Sequence, residues 1–302
     1  MQSFLGVPTI GIDDVAAGSV VVIGATDATP YEPGKISHSH QGPAAIRAAS
    51  QRYASWHDHF DFDLGAELLS SGPNRVSDLG DITCDPATPE RNRENIRSTV
   101  SSVLAARAIP MVFGGDDSVP IPVIGAYAEH GPVWIVQIDA HMDWRDERFG
   151  EPLGWSSPMR RASEMAWVGG MTQIGIRGVG SAFTSDVGDA RTWGSNIVTA
   201  RETHRDGMAA ALRSVPDGAD VFVSLDLDAI DPAFMPGVMA LSPGGLTYWQ
   251  IVELFEELAS RTTLVGCNIV ELAPQRDPSG ISALTAARIA CNALTAMLRT
   301  RS

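Results

Sequence analysis

The chain has 302 residues, a formal net charge of −14, 44% hydrophobic residues and 19% charged ones. Such a surface repels polyanions, so nucleic acid and anionic membrane are excluded as partners and a small cationic substrate is favoured. The apolar content is ample for one large core over residues 1–302, with no Pro/Gly-rich linker, repeat or low-complexity tract to divide it.

Short Val/Ile-rich runs alternate with stretches of helical spacing, the pattern of a mainly parallel sheet covered by helices on both faces, a three-layer α/β/α sandwich. In chain order the reading is a strand over 19–25, a helix over 43–56, a helix over 89–107, and strands over 110–115 and 132–140. There follow a helix over 156–165, strands over 171–178 and 195–200, a helix over 206–215, a strand over 220–229, a helix over 247–260 with Thr247 as its N-cap, a strand over 264–272 and a helix over 282–299. The first twenty residues have no basic start followed by an apolar core, and no apolar run is expected to reach the roughly 18 residues that span a bilayer. Cys84, Cys267 and Cys291 lack metal-type spacing. Their usage fits a reducing compartment, so the protein is expected to be cytoplasmic.

Acidic residues gather where apolar strands run out. Asp116-Asp117-Ser118 follows PMVFGG, Asp139-Ala140-His141-Met142-Asp143 follows WIVQI, Asp226-Leu227-Asp228 follows VFVSL, and Glu271 follows GCNIV. Open α/β sheets keep their chemistry at the carboxyl ends of strands. In an extended strand Asp226 and Asp228 project to one face and Leu225 and Leu227 to the other. Carboxylates so placed repel one another and resist desolvation unless a cation sits between them, which points to a two-metal site.

These residues resemble the ureohydrolases, the group of agmatinase, guanidinobutyrase and arginase. The resemblance runs from about Phe4 to Met297 and takes in GPAAIR (42–47), FDLG (62–65), DLGD (78–81), FGGDDS (113–118), DAHMD (139–143), QIGIRG (173–178), SLDLDAIDPAF (224–234), PGGL (243–246) and VELAP (270–274). It implies a three-layer fold, trimers or hexamers, and two divalent ions, Mn or Ni, that activate water to attack a guanidinium carbon and release urea and an amine. By the same resemblance Asp139 and Asp226 bridge both ions, Asp117 and Asp143 serve the first, His141 and Asp228 the second, and Glu271 receives the guanidinium group. Asp228 and His141 stand nearest the reacting water. Carboxylates with one imidazole suit a borderline divalent ion.

Three departures from that pattern shape the expectation. Asp117 stands where the family has His, so five negative ligand charges face the four positive ones of two divalent ions; Asp117 either ligates or caps the next helix. Trp155 replaces a His before Ser157-Pro158-Met159, and either packs or lines a substrate pocket by stacking on a planar cation. Val238-Met239-Ala240-Leu241-Ser242 replaces a Gly/Thr-rich stretch. Two readings follow. One is a metal-dependent hydrolase of a guanidino compound: guanidinobutyrate, agmatine, guanidine, or an alkylated guanidine or biguanide such as metformin. The other is a weakly catalytic subunit of a hetero-oligomer with an active paralogue. Glu271 either anchors substrate or pairs with Arg276. By the resemblance His38 and His40 lie in a loop that approaches the active-site mouth; the HxH pair invites a metal reading, but surface polarity without a ligand role is preferred. His57 and His59 are read as surface or interface residues, Asp116 and Asp231 as acids that orient loops, and Met159 as packing.

Overall fold

The computed structural model describes residues 2–69 and 75–300. Its strands are β1 (Val20–Ala25), β2 (Phe60–Asp61), β3 (Ala66–Glu67), β4 (Val76–Asp81), β5 (Ile109–Gly114), β6 (Val133–Ile138), β7 (Val168–Ile176), β8 (Asn196–Thr199), β9 (Asp220–Asp226) and β10 (Thr263–Val270). The helices are α1 (Gly42–Ser50), α2 (Pro89–Ala105), α3 (Pro120–Gly125), α4 (Pro158–Ser163), α5 (Thr184–Trp193), α6 (Ala200–Asp206), α7 (Met208–Ala211), α8 (Tyr248–Arg261) and α9 (Ile281–Arg299). Eight strands pair in the order β4-β1-β5-β10-β9-β6-β7-β8, every pair parallel, and β2 and β3 form a separate antiparallel hairpin.

Side-chain alternation along the strands builds a core on each face of the sheet. On β1, Val20 and Val22 join the core with Ile46 of α1, Leu254 and Phe255 of α8 and much of α9. Val21, Ile23 and Ala25 join the opposite core with Ile96 of α2, Val123 of α3 and Met159 of α4. Both faces are covered, which is why the strands read as continuous apolar runs. Helix α8 starts where Thr247 Oγ1 accepts the Gln250 N–H and Gln250 Oε1 accepts the Thr247 N–H, a reciprocal cap.

Several boundaries differ from the expectation. The helix expected over 206–215 is only the short α7, which starts after Gly207 with φ 84° and stops at Ala211. The one expected over 43–56 ends at Ser50 and passes into a 3-10 turn over Gln51–Tyr53. The strand expected over 220–229 stops at Asp226, because Leu227–Ala229 turns as a 3-10 helix. Strand β4 and helices α3, α5 and α6 have no counterpart in the sequence reading; β4 is polar for half its length, and α3 carries two prolines. Helix α9, at 19 residues with a mean hydropathy of 1.4, does reach the length and apolarity needed to cross a membrane, contrary to expectation. Of its apolar 18-residue window 72% is buried, with α9 packed on the sheet and α8, as a core helix should be.

A buried ion cluster fastens α1 to the edge strand β4. Arg47 donates through Nε to Asp78 Oδ2 at 2.8 Å and through Nη2 to Asp78 Oδ1 at 2.9 Å, and it also bonds Asp81. Asp78 Oδ2 accepts the Phe4 N–H as well, at 2.8 Å. Arg47 and Asp78 are each 1% exposed, so removing one partner strands the other's charge in a dry environment. Arg47→Ala is therefore expected to lower the unfolding free energy by about 3–5 kcal/mol in a denaturant titration. A loss below about 1 kcal/mol, the range of a surface pair, would show the cluster to be solvated.

Candidate metal centre

The four strands whose ends carry acids, β5, β10, β9 and β6, are consecutive neighbours at the middle of the sheet. Asp116 and Asp117 follow β5, Glu271 follows β10, Asp226 ends β9 with Asp228 on the 3-10 turn beyond it, and Asp139, His141 and Asp143 follow β6. Close backbone approach makes this convergence possible. A Cβ on Gly115 would lie 1.9 Å from the Thr26 carbonyl oxygen, so only glycine fits where the β5 end meets the loop after β1. Asp143 and Glu271 turn sharply with φ of 45° and 69°, left-handed values for side chains that rarely adopt them. Such strain, about 1–3 kcal/mol each, persists where surrounding structure holds it, and it gathers at functional sites.

Two groups of ligand-type atoms lie within 4.8 Å of one another: Asp117, Asp139 and Asp143 in one, and Asp139, His141 and Asp228 in the other, with Asp139 common to both. His141 Nδ1 is 3.0 Å from Asp228 Oδ2 and 3.4 Å from Asp139 Oδ1. Asp226 belongs to neither group. Its Oδ1 accepts the Asp228 N–H at 2.7 Å, while Asp228 Oδ1 accepts the Ala140 N–H at 3.1 Å, tying the β9 and β6 ends together. Asp117 does not cap α3, whose first turn has no side-chain cap; its Oδ2 is buried and without a hydrogen-bond partner. A cation would satisfy that atom, as buried polar atoms ordinarily are. The donor set of hard oxygens and one imidazole fits divalent ions.

The electrostatics agree. Burial, followed by the charges of Asp139 and Asp226, pushes Asp117 well above the usual carboxylate range. Burial with Asp139 and Asp117 does the same to Asp143, and burial with Asp228 and Asp139 to Asp226. Asp228 is pushed up to about 6 by burial and Asp139. Burial opposes a charge on Asp139 too, but hydrogen bonds from His141 and Asp143 bring it below the ordinary value. Burial disfavours an imidazolium at His141, yet Asp139 and Asp228 raise it to about 12. Without metal the cluster therefore holds protons that divalent ions can replace.

Behind the acids runs a chain of amides that the sequence reading missed. Gln137 of β6 donates through Nε2 to Asp139 Oδ2 at 2.8 Å and Asp143 Oδ2 at 3.0 Å. Gln173, its register partner on β7, donates to Gln137 Oε1 at 2.6 Å and in turn accepts from Ser195 Oγ at 2.8 Å. The signal was a glutamine in mid-strand on each of two buried strands, where polar side chains need a task. Arg177 was also missed: its guanidinium donates to the carbonyls of Asp228, Ala229 and Ser242, locking the Asp228 turn to the 238–242 loop. Asp231 accepts the N–H groups of Ala233, Gly244 and Gly245, so it orients loops as expected.

Above the acids opens a cleft of about 1090 Å³ lined by Asp117, His141, Asp143, Asp226, Asp228 and Glu271 on its floor. Its walls include Tyr31, Trp155, Phe149, Val179, Met239 and Arg148. Trp155 lines the cleft and packs on Tyr31 with ring centroids 4.0 Å apart. Glu271 does not pair with Arg276. Its Oε1 accepts the Asp117 N–H at 3.0 Å, and its Oε2 meets Ser39 Oγ at 3.3 Å and His38 Nε2 at 2.5 Å. Thus His38, in a loop expected near the site mouth but read as surface polarity, reaches the site, and His40 reaches buried Asp27 at 2.5 Å. Neither belongs to a metal-type group. His57 bonds the Leu5 carbonyl at the periphery, and Met159 is core.

Comparison with known proteins places this geometry among relatives. Residues 19–296 match the model of the arginase family. The chain is 32% identical over 297 residues to guanidinopropionase of Pseudomonas aeruginosa, spanning 94% of this chain and 89% of that protein. It is 32% identical over 229 residues to the mitochondrial guanidino acid hydrolase of Homo sapiens, covering 74% of this chain and 64% of that protein. Among solved structures, proclavaminate amidino hydrolase of Streptomyces clavuligerus superposes with a TM-score of 0.83 at 29% identity, over 99% of this chain and 98% of that one.

Gln137 supplies a test. Gln137→Ala removes the donor shared by Asp139 and Asp143, and divalent-ion affinity should fall about 10–100-fold in competition with a fluorescent chelator. Unchanged affinity would mean that the amide chain merely fills the strand interior.

Proposed function

Since the chain belongs to the arginase family, we propose that it is a metal-dependent hydrolase cleaving a C–N bond of a guanidino compound, with urea or a urea derivative and an amine as products. The observation that carries this reading is the pair of ligand groups sharing Asp139, one of them containing Asp117, whose buried Oδ2 has no hydrogen-bond partner. Asp117, Asp139 and Asp143 would hold one divalent ion, Asp139, His141 and Asp228 the other, and Asp226 would contribute between them. When bound, the ions, Mn or Ni, supply Lewis acidity and make water a nucleophile near neutral pH.

The chain's own groups do the rest. Glu271 accepts the guanidinium through charge-assisted hydrogen bonds, its carboxylate fixed by the Asp117 N–H. Trp155 and Tyr31 offer ring faces to the planar cation. Asp228 Oδ2, 3.0 Å from His141 Nδ1, is placed to take the proton of the attacking water. The apolar wall of Val179, Phe149 and Met239 favours a substrate with an apolar substituent, an alkylated guanidine or a biguanide such as metformin. Arg148, for which no carboxylate partner occurs among the described residues, is the observation that favours 4-guanidinobutyrate instead. We further propose a cytoplasmic trimer or hexamer.

A second reading, a weakly catalytic subunit assembled with an active paralogue, is supported by Asp117 and Trp155, which put a fifth ligand carboxylate and an indole where imidazoles would serve. One experiment separates the readings: release of urea or guanylurea from guanidine, agmatine, 4-guanidinobutyrate, dimethylguanidine and metformin, by the chain alone and co-expressed with a neighbouring paralogue, with Mn or Ni supplied. Turnover by the chain alone, lowered about 100-fold in kcat/KM by Glu271→Gln, is the expected outcome. Turnover only in the co-expressed assembly, unaffected by Glu271→Gln in this chain, would establish the second reading, and no turnover in either form would overturn both.

A further inference from the structure

We propose that His38 is a catalytic residue of this hydrolysis, the group that protonates the departing amine nitrogen; this rests on the function proposed above. Its Nε2 lies 2.5 Å from Glu271 Oε2, the carboxylate assigned to the guanidinium, and its ring stands edge-on to Trp155 with centroids 5.5 Å apart. A guanidinium seated on Glu271 thus has one imidazole beside its nitrogens. The substituent on the leaving nitrogen has to extend toward the cleft opening, which the 30–38 loop helps to wall: Pro30, Tyr31, Glu32, Lys35, Ile36, Ser37 and His38 all line it.

The other titratable groups in the cleft have other work. The His141 ring is tied between Asp139 and Asp228 in the floor. Lys35 is exposed and paired with Glu32. Burial raises the Tyr31 hydroxyl above 10.0, so it gives up a proton poorly near neutral pH. An imidazole is the side chain whose proton exchanges most readily there.

The loop also holds His38 rigidly, as a proton donor requires. Asp27, fully buried, accepts the Ser37 N–H at 3.0 Å and contacts His40 Nδ1 at 2.5 Å, so residues on both sides of His38 are pinned. Gln275 Nε2 donates to the His38 carbonyl at 2.6 Å. Burial pulls the His38 imidazole down, but the hydrogen bond and charge of Glu271, with a smaller push from Asp116, raise it above the ordinary histidine value against the opposing charge of Arg276. The shift favours the protonated ring.

The step balances. A water oxygen adds to the guanidinium carbon, the C–N bond to the amine breaks, and its electron pair takes the His38 proton. The proton shed by the water restores His38, and a second water proton completes the ammonium product, leaving urea and RNH3+ from the guanidinium and one water.

The test uses the active form found above, with kcat and KM of wild type, His38→Gln and His38→Ala measured across pH. Expected are a fall in kcat of about 100-fold with KM moving less than about threefold, loss of the alkaline limb of the kcat profile, and partial rescue of His38→Ala by added imidazole. A kcat within about threefold of wild type, or an effect confined to KM, would overturn the assignment while leaving the proposed function intact. An inactive wild type would remove both.

Discussion

Everything at the active end of this molecule depends on one constraint: carboxylates from neighbouring strands are driven together where water is scarce. Two unit charges 4 Å apart repel by about 4 kcal/mol at an effective dielectric of 20, and each buried acid adds its own desolvation cost. Asp117, Asp139, Asp143, Asp226 and Asp228 are all buried, so the fold carries this repulsion unless protons or cations relieve it. The sheet can hold the arrangement because both of its faces are sealed by large apolar cores. Local devices then aim each group: the left-handed turns at Asp143 and Glu271, the bare backbone at Gly115, and the amides of Gln137 and Gln173.

The same constraint gives Asp117 its meaning. An imidazole at that position would be neutral; a carboxylate adds a fifth negative charge to the cluster. The Asp117 N–H rests on Glu271, its Oδ2 has no hydrogen-bond partner, and the residue groups with Asp139 and Asp143. An all-oxygen group beside one containing His141 makes the centre chemically asymmetric, harder on one side than on the other.

Much of this was legible in the sequence, for physical reasons. Buried parallel strands announce themselves as unbroken Val/Ile runs, so β1, β5, β6, β7, β8, β9 and β10 could be read, and an acid at the end of such a run has few explanations other than chemistry. Strand β4 escaped because Ser77, Asp78 and Asp81 break up its apolar run, and those acids serve the buried Arg47 rather than solvent. Helix α6 went unread, and α7 stops at Ala211, short of the 206–215 that its helix-favouring residues suggested. The resemblance put the His38 loop near the site mouth, but the contact with Glu271 escaped, because nothing local links the two, 233 residues apart, and the loop pinned on Asp27 brings them together. Gln137 and Gln173 did carry a signal, a polar side chain in the middle of an apolar strand, whose partners could not be named without the β6–β7 register.

The central claim is that the buried carboxylates exist to hold cations, and metal content per chain tests it most directly. The protein, expressed alone with Mn and Ni supplied and then freed of loosely bound ions, would be analysed for its elements. A binuclear centre predicts about two ions per chain, falling to about one when Asp117 is replaced by Asn. A protein that folds fully and carries no ion would contradict the claim, leaving the acids as a cluster relieved by protons alone.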